Sequence, residues 1–211
     1  MADNNKVKYG LKNVHYAIAA MTNGAITYNT PVAIPGAVNL NLSAEGDMTP
    51  FRADNIDYWI TGANNGYSGD LEIAIVPDSF RVDALGEVAD TTSGLQYEIA
   101  TAQPVPFALM FEFDGDANAT RHVLYNCKAA RPALASETTP DGNIEPVTET
   151  LSLTADPRED GLVKGRTGDS TDQETYDGWY ESVYVPLDTL SLEHTTLPTG
   201  IDLTGGGQND A

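Results

Sequence analysis

The chain has 211 residues, 41% of them hydrophobic, and carries 31 acidic against 11 basic side chains, a formal net charge of −20. That size and composition fit one folded domain, with or without appendages, and exclude a disordered chain. The acidity argues against a surface that binds DNA or an anionic membrane, because neutralising phosphates takes Lys and Arg. The charge is lopsided, with 16 acids and 3 bases from Glu137 onward. Solubility, repulsion of a polyanion and salt adaptation each account for it. No apolar run is long enough to predict a transmembrane helix. The opening M-A-D-N-N-K-V-K-Y-G has no apolar core of a secretory signal. Cys127 is the single cysteine, so no internal disulfide is expected and a reducing compartment of synthesis fits.

In chain order, Val14, Tyr16 and Ile18 alternate with His15, Ala17 and Ala19, the period-2 pattern of a half-buried strand. Pro31 and Pro35 punctuate the entry to a second strand, in which Val38, Leu40 and Leu42 alternate with Asn39, Asn41 and Ser43. The segment Ala44–Asp57, A-E-G-D-M-T-P-F-R-A-D-N-I-D, then reads as a long acidic connection without secondary structure. It is too polar to fill a core, yet it carries Met48, Phe51 and Ile56. Such connections are usually functional or disordered. Ile56–Thr61, with Tyr58 and Trp59, reads as a strand. It is expected to pair with Leu71–Val76, where Leu71, Ile73 and Ile75 alternate, through a turn at Asn65-Gly66.

Pro77-Asp78 opens the best helix candidate, Ser79–Leu85, with Asp78 as its cap, Phe80, Ala84 and Leu85 as its apolar side and Gly86 at its left-handed end. Two turns are marginal alone, so this helix must dock on a sheet. Phe107–Phe113 puts Phe107, Leu109, Phe111 and Phe113 on one face. After the turn D-G-D-A-N-A-T, Arg121–Lys128 returns with Val123, Tyr125 and Cys127 on one face. Leu151, Leu153 and Ala155 mark another strand, and Leu162–Lys164 and Trp179–Val185 are shorter candidates. Thr167–Asp177 reads as a polar loop and Asp188–Ala211 as a poorly ordered extension. The fold class that follows is mainly β: an antiparallel sandwich or barrel with one short flanking α-helix.

No catalytic set emerges. His15, His122 and His194 are far apart, and the first two lie out of phase with their apolar neighbours, which suits solvated or hydrogen-bonded roles. Cys127 lies on an apolar phase, where a thiol behaves as a small hydrophobe. No metal-ligand spacing, phosphate-binding glycine loop or nucleophile elbow occurs. Asp114-Gly-Asp116-Ala-Asn118 resembles the start of a calcium loop, but Ala119 and Tyr125 stand where Gly and Glu are needed, so a hairpin turn explains it better. No catalytic residue, cofactor or metal is therefore assigned. Recognition by sheet edges and apolar anchors remains, with Met48 and Phe51 as anchors for a neighbour's pocket or as residues of their own core.

Extended blocks of the sequence resemble the major tail proteins, or tail tube proteins, of long-tailed, siphovirus-type bacteriophages. They are P-V-A-I-P-G-A-V-N-L-N-L-S-A-E-G-D at 31–47, A-D-N-I-D-Y-W at 53–59 and N-N-G-Y-S-G-D-L-E-I-A-I-V-P-D-S-F-R at 64–81. A-Q-P-V-P-F-A-L-M-F-E-F-D-G-D at 102–116, A-T-R-H-V-L-Y-N-C at 119–127 and P-V-T-E-T-L-S-L-T-A at 146–155 continue the match. The resemblance spans roughly residues 8–187, which it implies form the tube domain, and leaves 188–211 as an extension or assembly arm. It implies a non-enzymatic virion protein, made in the bacterial host cytoplasm, whose hexameric rings stack into a hollow tube for DNA passage. Implied partners are other copies of the chain, a tape-measure protein, a tail terminator and the distal tail or baseplate proteins, with no membrane and no specific DNA binding. The resemblance places inter-subunit contacts on the 44–57 connection, at Glu45, Asp47, Met48, Phe51, Arg52 and Asp54. It makes the strands of Val38, Leu40, Leu42, Leu71, Ile73 and Ile75 candidates for the tube wall. A carbohydrate- or receptor-binding β-sandwich using Tyr58, Trp59 and Trp179 as stacking platforms, and an acidic hydrolase with a carboxylate pair, are the competing readings.

Overall fold

The structure is a computed structural model that describes residues 9–22, 25–116, 119–136 and 147–186. Asn118 of the acidic turn, His194 and the 188–211 extension lie outside the described residues. The first alternating segment forms β1 (Leu11–Thr22), and the short β2 (Ala25–Tyr28) and β3 (Val32–Ala33) both pair back on it. Next come β4 (Ala37–Glu45), β5 (Met48–Ala53), β6 (Ile56–Gly62) and β7 (Gly66–Ile73), followed by helix α1 (Asp78–Asp83). Two-residue strands β8 (Val88–Ala89) and β9 (Gln96–Tyr97) precede β10 (Phe107–Phe113) and β11 (Arg121–Ala129). The described chain finishes with β12 (Glu149–Ala155), β13 (Lys164–Arg166), helix α2 (Gln173–Asp177) and a 3-10 turn at Gly178–Tyr180.

The fold is mainly antiparallel β, as the alternation predicts. One sheet runs β2-β1-β10-β11-β12-β7-β4, with β3 added to β1 and β13 to β11. It curls on itself: β4 touches β1, and the Ile34 N–H donates to the Val14 carbonyl at 2.7 Å. The inner face buries Tyr16, Leu71, Ile73, Phe107, Leu109, Leu151 and Leu153 among others. Helix α1 lies against this interior. Phe80 meets the Tyr16 ring edge-on at 5.0 Å and the Phe107 ring at 5.3 Å, and the Tyr16 hydroxyl donates to Asp83 at 2.8 Å. Arg81 donates to Glu149 at 2.7 Å, and the same carboxylate accepts from the Val76 N–H at 2.6 Å, fixing the helix to β12. Gly86 takes the expected positive φ, 79°. Asp78, however, is the first helical residue; Pro77 stands at the cap position and makes no side-chain cap bond.

A second apolar cluster of Ala17, Ala108, Met110, Val123, Tyr125 and Trp179 covers the other face of β1, β10 and β11. β10 is thus buried on both sides. Its Glu112 is 4% exposed and meets Lys12 and Arg121 at 3.6 Å each. Arg121 in turn lies 3.9 Å over the Tyr176 ring and donates to the Tyr176 carbonyl, which ties α2 to the sheet.

Several expectations are corrected here. The β10–β11 register slips so that Leu109 faces Leu124 but Phe107 faces Cys127. The extra β11 residue turns Cys127 into the inner cluster, away from Val123 and Tyr125 in the outer one. For His122, expected solvated or hydrogen-bonded, the solvated alternative falls: it is buried, stacked on Phe111 at 5.2 Å. His15 keeps a hydrogen-bonded role, its Nδ1 being 2.8 Å from the Asn13 carbonyl. Trp179–Val185 is no strand, because Gly178–Tyr180 winds into the 3-10 turn and the segment to 186 stays irregular. The polar 167–177 segment contains α2, nucleated by Asp172, whose carboxylate accepts from the Thr175 N–H at 2.8 Å. The 162–164 strand lies two residues later, as β13.

Truncating Phe80 to Ala is expected to destabilise the fold by about 3–5 kcal/mol, since a fully enclosed ring leaves a cavity between sheet and helix; denaturant unfolding measures it. Cys127 is fully buried, and desolvation pushes its thiol up to about 12. Alkylation at pH 8 should therefore leave it unmodified in the native protein and modify it fully in denaturant.

Candidate assembly surface

The 44–57 segment is not an unstructured connection. Strands β4 and β7 pair from Ala37↔Ile73 to Glu45↔Gly66, and the ribbon then continues past the sheet. The Asn65 N–H donates to the Glu45 carbonyl at 2.9 Å and the Ala63 N–H to the Asp47 carbonyl at 3.1 Å. β5 and β6 take over from Met48↔Gly62 to Ala53↔Ile56. The ribbon closes at Asp54-Asn55, both with positive φ, 52° and 64°, the two-residue turn that Asp and Asn tolerate best after glycine. Residues 37–73 are therefore one long hairpin, half sheet and half projecting arm.

This overturns two sequence expectations. β6 pairs with β5 and not with β7, and Asn65-Gly66 is no hairpin turn. Gly66 has φ 99°, and a Cβ there would stand 2.0 Å from the Ala155 carbonyl oxygen, so the glycine serves a close approach to β12.

Among the candidate wall residues, Leu71 and Ile73 are buried, and Leu40 and Leu42 pack on the inner cluster. Val38 does not join them. A bulge between the Ala37 and Asn39 pairs sends its side chain out, 52% exposed, and Ala37 takes the inward place. Ile75 lies beyond the end of β7 and is 73% exposed, while Val76 turns into the core.

Of the candidate contact residues, Glu45 accepts from the Ser68 hydroxyl at the arm's base, and Asp47 holds the junction through its carbonyl. Met48 is 80% exposed and Phe51 61%. Arg52 pairs with Asp57 across the ribbon at 3.0 Å, and Asp54 forms the tip. The sequence marks the 56–61 strand but gives it the wrong neighbour; as the arm's second strand it leaves Ile56, Tyr58, Trp59 and Ile60 all more than half exposed. The register groups them. Directly opposed residues share a face, so Phe51, Trp59, Ala53 and Ile56 form one side. Met48, Pro50 and Ile60 form the other, together with the Arg52–Asp57 pair. Tyr58 is the extra residue of the bulge between the Phe51 and Arg52 pairs. The Asp54-Asn55 pair at the centre of A-D-N-I was the available signal.

A two-stranded ribbon in water is marginal by itself, and this one keeps large apolar side chains exposed on both faces within the described chain, which makes it the candidate contact surface. Each such side chain contributes about 1.5–3 kcal/mol when fully buried. Trp179 is 4% exposed within the outer cluster, so it offers no stacking platform beside Tyr58 and Trp59. Among the described residues no group of three or more His, Cys, Asp or Glu is placed to hold a metal ion, and no helix is long and apolar enough to cross a membrane.

Neither a protein-family model nor a curated protein sequence matches this chain. Solved structures with some likeness in shape include the anti-feeding prophage cap, a tube-terminating cap, at 12% identity and TM-score 0.41, covering 79% of this chain and 97% of that one. A chain of the anti-feeding prophage baseplate follows at 13% identity and TM-score 0.38, covering 78% and 97%. The sheath/tube terminator of an extracellular contractile injection system, PVC, in its extended state, follows at 9% and 0.35, covering 74% and 94%. At these scores the likeness carries no inference about function.

The two tryptophans provide a test of the arm. Acrylamide should quench Trp59 strongly and Trp179 weakly, and Trp59→Phe should remove the accessible component alone. Replacing Asn55 with Val, which disfavours positive φ, should loosen the arm's amide protection in hydrogen exchange while the core amides of β10 and β11 keep theirs.

Proposed function

We propose that this chain is a structural, non-enzymatic virion protein, the major tail tube subunit of a long-tailed bacteriophage. Copies assemble into hexameric rings that stack into a hollow tube for DNA passage. A tape-measure protein lies inside it during assembly, and a tail terminator and distal tail or baseplate proteins cap its ends. The sequence blocks that resemble tail tube proteins support this reading. The observation that carries it is the projecting arm, whose two apolar faces have no cover from the described chain. The arm lies where the family resemblance places a contact with a neighbouring subunit or ring.

The charge sets the conditions of assembly. Six copies of a chain of net charge −20 bring −120 formal charges into one ring. Screening limits their repulsion to about 8 Å at physiological ionic strength. Acids that face the channel keep DNA from adhering, and acids that face outward keep tubes apart. Apolar contacts survive salt while this repulsion does not.

Negative-stain microscopy of the purified protein should show rings or tubes of uniform bore. Discrete monomers at every protein and salt concentration overturn the proposal. The protein concentration needed for assembly should fall as sodium chloride rises; a threshold indifferent to salt refutes the electrostatic part alone. Replacing Met48 and Phe51 together with Ser should raise that concentration by at least about tenfold while leaving monomer unfolding unchanged. Loss of the monomer's cooperative unfolding would instead place both residues in its own core.

A further inference from the structure

Beside β2, the first strand in the sheet order, lies a second apolar feature. A cleft of about 270 Å3 opens beside β2, lined by Ala20, Met21, Ile26, Tyr28, Pro106 and Arg158 among others. An apolar cavity of about 150 Å3 takes a benzene ring, so this one has room for an indole. Arg158 is 8% exposed and closely held: it donates to the Tyr28 hydroxyl at 3.1 Å and to Asp160 at 2.9 Å. Its guanidinium carbon lies 5.7 Å from the Tyr28 ring centroid and 5.9 Å from that of Tyr125. The Tyr28 hydroxyl in turn donates to the Tyr125 carbonyl at 2.7 Å, which makes the cleft wall a fixed network. The Nε of Arg158 is buried with no hydrogen-bond partner among the described residues. A guest for this cleft therefore brings an apolar body, best an aromatic one beside a guanidinium.

We infer that the cleft receives the arm of a second copy of this chain, with Trp59 as its anchor. The arm supplies such a body: an exposed indole flanked by Phe51 and Ile56 on one face. The two features belong to opposite ends of the strand order, the arm beyond β4 and β7 and the cleft at β2. Arm and cleft are different patches, so each copy that inserts its arm leaves its own cleft open and its partner's arm free. Such a contact is heterologous and propagates into a ring or a filament rather than stopping at a dimer. This inference rests on the proposed self-assembly and names its receiving surface.

Cross-linking tests it. Thr61→Cys places a thiol on the Trp59 face of the arm, and Ala20→Cys places one at the cleft; native Cys127 is buried and stays out of the reaction. Mixing the two variants under mild oxidation should yield a disulfide-linked heterodimer. Its yield should be at least about tenfold above that from Thr61→Cys mixed with Ile75→Cys, an exposed control. Ala20→Trp, which fills the cleft at an exposed position, should raise the concentration needed for assembly by at least about tenfold without changing monomer unfolding. Rings or tubes that form with no preferred arm–cleft cross-link, and that tolerate Ala20→Trp, overturn the inference and leave self-assembly standing. A protein that stays monomeric throughout overturns both.

Discussion

A two-stranded ribbon cannot cover its own faces, and the rest of this molecule is arranged around that limit. Strands β4 and β7 solve the problem in their lower half by joining the sheet, where β7 lies between β4 and β12 in an unbroken register from Glu149↔Ile73 to Ala155↔Tyr67. There Leu40, Leu42, Leu71 and Ile73 reach the shared interior. Beyond Glu45 and Gly66 the same ribbon has no third strand and no helix beside it among the described residues. Its side chains stay apolar all the same. The base orients an arm whose faces have no cover from the described chain, so under the proposed assembly the anchoring of β4 and β7 serves function as well as folding.

The strands that have one covered face, or two, were legible from alternation. β1, β10 and β12 emerge where Tyr16, Leu109 and Leu153 put them, and α1 where Phe80 and Leu85 do. Two kinds of error remain, and each has a physical cause. Bulges insert one residue and reverse every assignment beyond them; Val38 and Cys127 both changed face for this reason, and neither bulge leaves a mark in residue type. The arm was misread because alternation records a difference between core and solvent, and a strand with solvent on both sides has no such difference to record. Asn65-Gly66 compounded the error, since the glycine that suits a turn equally suits the backbone crossing near Ala155. Helix α2 is short and polar, and holds through the Asp172 cap and the Arg121–Tyr176 stack, a contact 55 residues apart in sequence. The candidate contact residues shared that fate in part: Met48 and Phe51 stood out as large apolar residues in an acidic run, while Trp59 and Ile60 were read into a strand paired with 71–76.

Three of the eleven bases, Arg81, Arg121 and Arg158, are spent near the core. Arg81 holds Glu149 and Glu87, Arg121 holds Glu112, Arg158 holds Asp160, and Lys12 reaches Glu112 and Asp114. Buried carboxylates need such partners, because a lone buried charge is far costlier than a paired one. The consequence falls on the surface. Arg52, Lys128 and Arg131 pair with acids at the surface, yet 31 acids against 11 bases leave the acids in excess wherever the bases lie, and the net −20 is expressed largely as surface potential.

That division sets two opposed forces on any encounter between copies. Surface acids act at a distance of about one Debye length and disfavour approach; the arm's apolar faces act only on contact and favour it. Because the repulsion is spread over the whole chain while the attraction is concentrated on one ribbon, misoriented encounters meet repulsion without reward. Only an approach that delivers the arm to an apolar receptor gains contact energy. Under the proposed assembly the acidity serves specificity as well as solubility: it raises the threshold that a correct contact must exceed, and it leaves that threshold adjustable by salt and by local subunit concentration.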